Sequence, residues 1–128
     1  MPEQIHHFAV EVSDAERSAD FYCSLLGFTR GARFDFPERG RVIIFVSLQG
    51  VAVELLQSAD YEAHVNQPKM LGFKHLCLQT DDVDAEVARL KAAGVRITTE
   101  PFDTQINSRI AFFEDPDGLM LELWQTLA

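Results

Sequence analysis

The chain has 128 residues, of which 47% are apolar and 24% are charged, and its formal net charge is −9. This composition is typical of one globular domain, and the acidic excess argues against binding to nucleic acids or anionic membranes, which requires clustered Lys and Arg. No apolar run reaches the roughly 18 residues of a membrane-spanning helix, and residues 1–4 lack the pattern of a secretion signal. Two cysteines without a paired spacing indicate reduced thiols, so the sequence predicts a cytoplasmic protein.

The sequence repeats itself. A shift of 68 residues (75 − 7) places residues 5–14 on 73–82 and residues 50–57 on 118–125 without a gap. In the second pair of segments Gly, Glu, Leu and Gln are identical, and the remaining positions stay apolar. Self-similarity at a fixed offset indicates two copies of one structural unit.

Each copy is predicted to form a module. We place the modules at 1–57 and 73–128, joined by a polar linker over residues 58–72 that contains a Pro and a Gly. A module of roughly 60 residues is marginally stable alone. The two modules are therefore expected to make a single domain.

The first module begins with a predicted strand over residues 5–12, followed by a helix. Ser13 and Glu16 have the spacing of a capping box, which predicts that the helix starts after Ser13. Gly27 tolerates a positive φ angle and is predicted to end this helix. Apolar runs predict three further strands, at 28–36, 41–49 and 51–57.

The second module follows the same order. A predicted strand over 73–80 precedes a helix that ends at Gly94, and Asp115-Pro116-Asp117-Gly118 has the composition of a tight turn. The remaining predicted strands are 95–99, 107–114 and 119–125. Two tandem βαβββ modules, and hence an α+β fold, are the predicted architecture.

The predicted first strand separates His7 from its apolar neighbours. Side chains alternate between the two faces of a strand, so His7 lies opposite Phe8 and Val10, whose face suits the helix. The same alternation places His75 beside Cys77. Both His residues are therefore expected on the face that points away from the helix.

Glu54 and Glu122, each in the last predicted strand of its module, have apolar neighbours. A carboxylate in such surroundings is costly unless it is paired or binds a metal ion. Each Glu also follows a His at the same distance, 47 residues (54 − 7 and 122 − 75). This recurrence predicts that one site inside the protein holds a divalent metal ion, Zn, Ni, Co, Mn or Fe, since these ions suit mixed imidazole and carboxylate ligands. Its ligands are His7, Glu54, His75 and Glu122.

Such a site has the equipment to abstract a proton next to a carbonyl group, and it would equally serve O2 activation if the metal were iron with one carboxylate displaced. The metal ion can polarise the carbonyl, and Glu122 or Glu54 can move the proton, so these two are the candidate catalytic residues. Cys77 is expected to be a small apolar residue at the border of the site. His6 and His64 have no counterpart in the other copy and are predicted to be surface or structural residues.

Several motifs over nearly the whole chain carry a family resemblance. They are His-x4-Val-Ser-Asp from His7, Phe21 through Phe28, His75 with Asp82, Leu90 through Val95, and the Asp-Pro-Asp-Gly turn ahead of Glu122. These residues resemble the vicinal oxygen chelate superfamily, which includes glyoxalase I, bleomycin-resistance proteins and extradiol dioxygenases. The resemblance implies paired βαβββ modules that form an open half-barrel cleft around one divalent metal ion, commonly in a homodimer with a small-molecule substrate.

The ligand pattern is most similar to that of glyoxalase I (lactoylglutathione lyase). That enzyme uses His or Gln, Glu, His and Glu, and this chain has His7, Glu54, His75 and Glu122 at matching places. The similarity implies a metal-dependent lyase or isomerase that transfers a proton next to a metal-bound carbonyl or enediolate. The alternatives within the superfamily are an Fe(II)-dependent ring-cleaving dioxygenase, a CoA-ester epimerase and a non-enzymatic drug-binding resistance protein.

The similarity to glyoxalase I does not extend to the glutathione contacts. Glu11 and Ser58 stand where that enzyme has an Arg and an Asn that hold the glutathione carboxylate. An acidic Glu11 would repel an anionic substrate. The candidate anion contacts are Arg109, Arg30, Arg33, Arg39 and Arg41, although an arginine of this kind is more often an exposed surface charge. The sequence leaves open whether the four metal ligands come from one chain or from two.

Overall fold

The computed structural model describes residues 1–62, Lys69 and 71–128. The chain divides into two compact units after Ala63. His64, predicted to be a surface or structural residue, lies outside the described residues, as does part of the predicted linker.

The first unit contains one helix and one four-stranded sheet. Its elements are β1 (His7–Val12), α1 (Ala15–Leu26), β2 (Thr29–Phe36), β3 (Arg41–Leu48) and β4 (Val51–Gln57). The strand order is β1-β4-β3-β2, in which β1 runs parallel to β4 and the other pairs are antiparallel. A short 3-10 turn, Pro37–Arg39, connects β2 to β3.

The second unit has the same arrangement. Its elements are β5 (Leu76–Gln79), α2 (Val83–Ala92), β6 (Ile97–Asp103), β7 (Ser108–Glu114) and β8 (Met120–Thr126). The order is β5-β8-β7-β6, again with the first and last strands parallel. The predicted βαβββ order and the α+β class are confirmed. Neither helix in the described part of the chain is long and apolar enough to cross a bilayer.

The largest error in the predicted strands concerns β6. The sequence predicted a strand over 95–99, whereas the structure has Ile97–Asp103, which continues through Pro101. Proline is tolerated in edge strands and at bulges, because its missing N–H is not needed there. Strand β6 is at the edge of its sheet, and its pairing with β7 shifts between Thr99 and Phe102.

The predicted capping box of α1 is wrong. Asp14, not Ser13, is the N-cap, and its side chain accepts a hydrogen bond from the Arg17 amide at 3.1 Å. The Glu16 carboxylate is engaged elsewhere, since it binds the guanidinium group of Arg30 at 2.7 Å. The predicted end of the helix is confirmed, because Gly27 caps it with a φ of 76°.

The Gln that is identical in the two copies ties each helix to its sheet. Gln57 Oε1 accepts a hydrogen bond from the Ala15 amide at 2.8 Å, and Gln125 Oε1 accepts one from the Val83 amide at 3.0 Å. The first amides of a helix have no partner within the helix. Each Gln lies in the strand that comes last in the chain of its unit, β4 or β8, and satisfies one of these amides.

The core of each unit lies between the helix and one face of the sheet. Its members in the first unit are Ala15, Ala19, Tyr22, Ile44, Val46, Val53 and Leu55, and in the second Val83, Leu90, Ala111, Phe113, Leu121 and Leu123. Glu54 lies between Val53 and Leu55 along β4, so its side chain points to the opposite face. Glu122 has the same position in β8. Each sheet thus carries one of these carboxylates on the face that points away from its helix.

Candidate metal centre

Each unit brings one His and one Glu together on the face of the sheet that points away from its helix. In the first unit, His7 Nε2 lies 3.5 Å from Glu54 Oε1. In the second unit, His75 Nε2 lies 3.3 Å from Glu122 Oε1. Each unit therefore presents half of the predicted ligand set.

The strand register explains why the two pairs form. Ala9 is the register partner of Glu54, and Cys77 is the register partner of Glu122. Side chains two residues apart in a strand share a face. The His two residues before Ala9 or Cys77 consequently lies beside the Glu of the neighbouring parallel strand.

The distance within each pair fits two ligands of one metal ion. With metal–ligand bonds of about 2.1 Å and tetrahedral angles, the two ligand atoms lie about 3.4 Å apart. The observed distances of 3.5 and 3.3 Å agree with this value. Among the described residues, no three His, Cys, Asp or Glu side chains form a metal-binding group. The union of the two pairs in one four-ligand site stays a prediction.

The pairs are more exposed than expected. The sequence predicted that all four side chains lie inside the protein, but only Glu122 is buried, at 8% exposure. About a third of each His side chain is exposed, 33% for His7 and 31% for His75. Strands β1 and β5 are edge strands, so a His at their start has a neighbouring strand on one side only.

A Phe that the sequence did not indicate packs against each His. Phe45 is the register partner of Glu54, and Phe112 is that of Glu122. Their rings meet the imidazoles edge to face, with centroid distances of 5.7 Å to His7 and 5.4 Å to His75. The two Phe are 67 residues apart (112 − 45), one fewer than the repeat offset, so the gapless alignment does not place them together.

A neighbouring imidazole also contacts the first pair. His6 Nδ1 lies 2.8 Å from His7 Nδ1, which leaves His7 Nε2 directed towards Glu54. A metal-binding His commonly uses its second ring nitrogen in a hydrogen bond. His6, predicted to be a surface or structural residue, is exposed and contacts His7.

Comparison with known sequences identifies the family. The Glyoxalase/Bleomycin resistance protein/Dioxygenase superfamily matches residues 4–123. The chain belongs to this superfamily. The resemblance carried by the sequence motifs is thereby confirmed.

Relatives in the superfamily differ in what their names state. The chain is 35% identical over 124 residues to the uncharacterized protein YaeR of Escherichia coli, covering 96% of both. It is 32% identical to a Vibrio cholerae protein named "Probable lactoylglutathione lyase", covering 95% of this chain and 90% of that protein. It is 29% identical to the mitochondrial methylmalonyl-CoA epimerase of Bos taurus, covering 95% of this chain and 74% of that protein.

Similar solved structures also differ in what their names state. Glyoxalase I from Zea mays superposes with a TM-score of 0.82 at 28% identity, over 98% of this chain and 45% of the maize chain. TnmS3, an antibiotic binding protein from Streptomyces sp. CB03234, superposes with a TM-score of 0.74 at 32% identity, over 98% and 97% of the two chains. The superfamily fold is thus shared with both an enzyme and a binding protein.

Cys77 interacts with the carboxylate of the second His–Glu pair, which the sequence did not predict. Its thiol donates a hydrogen bond to the Glu122 carboxylate, and partial burial together with this bond raises the pKa of Cys77 to about 12. The thiol is therefore protonated at neutral pH. The expectation of a merely apolar residue is incomplete, because Cys77 is a hydrogen-bond donor to a candidate metal ligand.

Three of the five candidate anion contacts already bind carboxylates. These are Arg30 and Arg33 with Glu16, and Arg109 with Asp84 and Asp103. The ion pairs hold the pKa of Glu16 at about 2. The hypothesis that these three arginines contact an anionic substrate is therefore not supported. Arg39 and Arg41 lie exposed near the turn between β2 and β3.

Glu11 and Ser58, which depart from the glyoxalase I pattern, bind each other. Ser58 donates two hydrogen bonds to the Glu11 carboxylate, from its amide at 3.1 Å and from its hydroxyl at 2.8 Å. This pair presents a negative charge. The superfamily member described here consequently lacks, at these two positions, a cation for a glutathione carboxylate.

Proposed function

We propose that the protein is a divalent-metal-dependent lyase or isomerase of the glyoxalase I type, which transfers a proton next to the carbonyl group of a small substrate. The observation that carries the proposal is the duplicated His–Glu pair, whose nitrogen and oxygen atoms have the spacing of two ligands of one metal ion in both units. The lactoylglutathione lyase and methylmalonyl-CoA epimerase relatives support this choice of chemistry.

In this proposal both pairs serve one metal ion. Protein zinc sites have three or four protein ligands, and a single His–Glu pair supplies only two. Joining His7 and Glu54 with His75 and Glu122 gives the complete set. Zn, Ni, Co, Mn and Fe all accept such ligands. We further propose a cytoplasmic homodimer, and light scattering of the purified protein tests its oligomeric state.

The metal ion would polarise the substrate carbonyl and so acidify the neighbouring C–H bond. Glu54 or Glu122 would take that proton and return it at the adjacent carbon or on the opposite face. Phe45 and Phe112 hold the His rings and add apolar surface beside the carboxylates.

Epimerisation of a CoA ester is the second candidate function. It uses the same proton transfer next to a carbonyl, and the Bos taurus epimerase is 29% identical. Glu11 and Ser58 count against a glutathione conjugate, because the position predicted for a glutathione carboxylate is acidic here. A ring-cleaving dioxygenase and a drug-binding protein are the other outcomes that the experiment distinguishes.

Metal analysis combined with hydrogen exchange tests the proposal. Purified protein is loaded separately with Zn, Ni, Co, Mn and Fe(II), and the bound metal is quantified. NMR in D2O then follows exchange of the α-proton of the methylglyoxal–glutathione hemithioacetal and of methylmalonyl-CoA. We expect stoichiometric metal and metal-dependent exchange that EDTA abolishes.

Matched variants complete the test. Glu122→Gln should lose metal and exchange, whereas Glu100→Gln, an exposed carboxylate paired with Lys91, should retain both. Protein that binds none of the five metals refutes the enzyme hypothesis and favours a drug-binding protein. Oxygen consumption with catechols in the Fe(II) form would identify a dioxygenase instead.

A further inference from the structure

Two arginines at one end of the first sheet carry free positive charge. Arg39 and Arg41 lie at the turn between β2 and β3, and both are exposed. Within the part of the chain that the structure describes, neither makes a hydrogen bond or an ion pair through its side chain, whereas the arginines of the neighbouring strand β2 bind carboxylates. In a chain with a formal net charge of −9, these two cations form a local positive site that can attract an anion.

The turn that carries these arginines is held in place. Pro37 opens it, and the proline ring fixes one backbone angle there. Gly40 lies between the two arginines with a φ of 60°, and a Cβ atom added to it would lie 2.8 Å from the Cβ of Ala59. The turn therefore packs closely against the segment that follows β4. Both arginine side chains thus extend from a backbone whose position is defined.

Arg41 shares a face of the sheet with the His7–Glu54 pair. Phe45 is the register partner of Glu54 and contacts His7, and alternation along β3 puts Arg41 on the same face as Phe45. The four residues from Phe45 to Arg41 span about 13 Å at about 3.3 Å per residue. The free cation and the candidate metal ligands therefore face the same side of the sheet, separated by about this distance.

The surface between them is apolar along three strands. One row across the sheet consists of Leu56, Ile43 and Phe34, which are register partners in β4, β3 and β2. Phe34 leaves 47% of its surface exposed. Glu11 ends the row in β1, about 10 Å across the sheet from β3, and its carboxylate is bound by Ser58. An uncharged linker can therefore lie on this row between a carbonyl group and an anion.

The second unit has a buried hydroxyl at the place of the cation. Phe45 and Phe112 correspond with an offset of 67 residues, and the same offset places Ser108 where the first unit has Arg41 (108 − 41 = 67). Ser108 is fully buried, and its hydroxyl lies 2.6 Å from that of Thr104. The two copies have therefore diverged at this end of the sheet, and the first unit has acquired a charge that its packing does not require.

We propose that Arg39 and Arg41 bind a phosphate group of the substrate while its carbonyl group lies at the metal centre. The inference rests on the proposed metal-dependent proton transfer and names its substrate class, a carbonyl compound whose phosphate is separated from the carbonyl by an uncharged linker of about 13 Å. A phosphate monoester carries close to two negative charges at neutral pH, which two guanidinium groups match. Its oxygens also accept the paired N–H donors of arginine.

A matched pair of thioesters tests the phosphate contact. Propionyl-phosphopantetheine and propionyl-pantetheine have the same acyl group and the same linker, and they differ only in the phosphate. Calorimetric titration of the purified protein, with and without Zn, measures both dissociation constants. We expect the parent to bind the phosphorylated ester about tenfold or more tightly than the other, and the Arg39→Gln/Arg41→Gln double variant to bind both equally.

Two further variants serve as controls of opposite kinds. Arg89→Gln removes an exposed arginine of α2 that pairs with Glu86, and it should keep the preference of the parent. Glu38→Gln removes a negative charge beside Arg39 in the same turn, and it should tighten binding of the phosphorylated ester by about twofold or more. Circular dichroism confirms that each variant is folded, and light scattering reports its oligomeric state.

The exchange assay connects the phosphate contact to the metal centre. In metal-loaded protein, the double variant should raise KM for the α-proton exchange of methylmalonyl-phosphopantetheine by about tenfold, with kcat little changed, and should leave the exchange of methylmalonyl-pantetheine as in the parent.

The outcomes separate the inference from the proposed function. Equal affinity of the parent for the two propionyl esters overturns the inference, and so does a double variant that keeps the preference. A double variant with a changed oligomeric state overturns it too, because the arginines then lie between copies of the chain. Metal-dependent exchange without a phosphate preference overturns the inference alone. A parent that binds no metal overturns the proposed function, and with it the placement of the carbonyl group.

Discussion

The ring of Phe45 meets the imidazole of His7 edge to face, with the two planes at 86° and the centroids 5.7 Å apart. Phe112 holds His75 in the same way in the second unit, at 5.4 Å. Such aromatic contacts contribute about 0.5–1.5 kcal/mol beyond their buried area. The orientation of the candidate ligands therefore depends on residues that bind no metal themselves.

Replacement of these rings should weaken metal binding without removing a ligand. We expect Phe45→Leu and Phe112→Leu each to raise the Co(II) dissociation constant by about 2- to 10-fold, the equivalent of a lost edge-to-face contact. Absorption titration measures the change. Phe36→Leu, at a surface position in β2 that is 37% exposed, is the matched control and should have no effect. Equal affinities in all three variants would contradict the positioning role of the rings.

The two Gln caps should contribute to stability. Gln57→Leu or Gln125→Leu leaves a helix N-terminal amide without its side-chain acceptor, which should lower the free energy of unfolding by about 1–2 kcal/mol. Urea denaturation followed by circular dichroism measures the difference. Gln4→Leu, in the exposed N-terminal segment, is the control and should be neutral. A change no larger than that of the control would show that the caps are dispensable.

Metal binding should stabilise the folded protein. A ligand that binds only the folded state adds about 2.7 kcal/mol at a free concentration 100 times its dissociation constant. Scanning calorimetry with Co(II), and then with excess EDTA, should show a reversible rise in the melting temperature. The rise should be lost in Glu122→Gln and kept in Glu100→Gln. A melting temperature that changes with neither Co(II) nor EDTA would contradict a native metal site.

The ion pairs of Glu16 should make stability depend on pH in the acid range. Hydrogen bonds from Arg30 and Arg33 lower the pKa of Glu16 from 4.5 to about 2 in the folded protein. A depressed pKa stabilises the fold above the unfolded-state pKa, and this contribution disappears as the pH falls from 4.5 to 2. Glu16→Gln should therefore be less stable than the parent at pH 7 and should approach it near pH 2.

Salt provides a second check on these ion pairs. They lie at the surface, so added salt should reduce the difference at neutral pH. Glu38→Gln serves as the control, since Glu38 lies in the exposed turn between β2 and β3. A difference between Glu16→Gln and the parent that stays constant from pH 7 to pH 2 would exclude this origin.

The sequence predicted what depends on local pattern and on the repeat. The βαβββ order, the Gly27 helix end and the His–Glu pairs follow from periodicity, from the backbone freedom of glycine and from the common offset. The prediction from the sequence failed where contacts between distant segments determine the structure. Glu16 binds Arg30 of another element instead of capping its own helix, and Phe45 reaches His7 only because β3 and β1 flank β4.

The reactivity of Cys77 should report its bond to Glu122. Burial and the carboxylate raise the pKa of Cys77 to about 12, so at pH 8 its thiolate fraction is on the order of a thousandfold below that of an ordinary thiol. In metal-free Cys23→Ser protein, iodoacetamide should therefore modify Cys77 slowly, with a rate that continues to rise above pH 10. Glu122→Gln removes the negative charge and should accelerate the reaction at pH 8, while Glu100→Gln should not. Mass spectrometry of the modified protein gives the rates, and fast modification of the parent at pH 8 would show that the thiol is not held by the carboxylate.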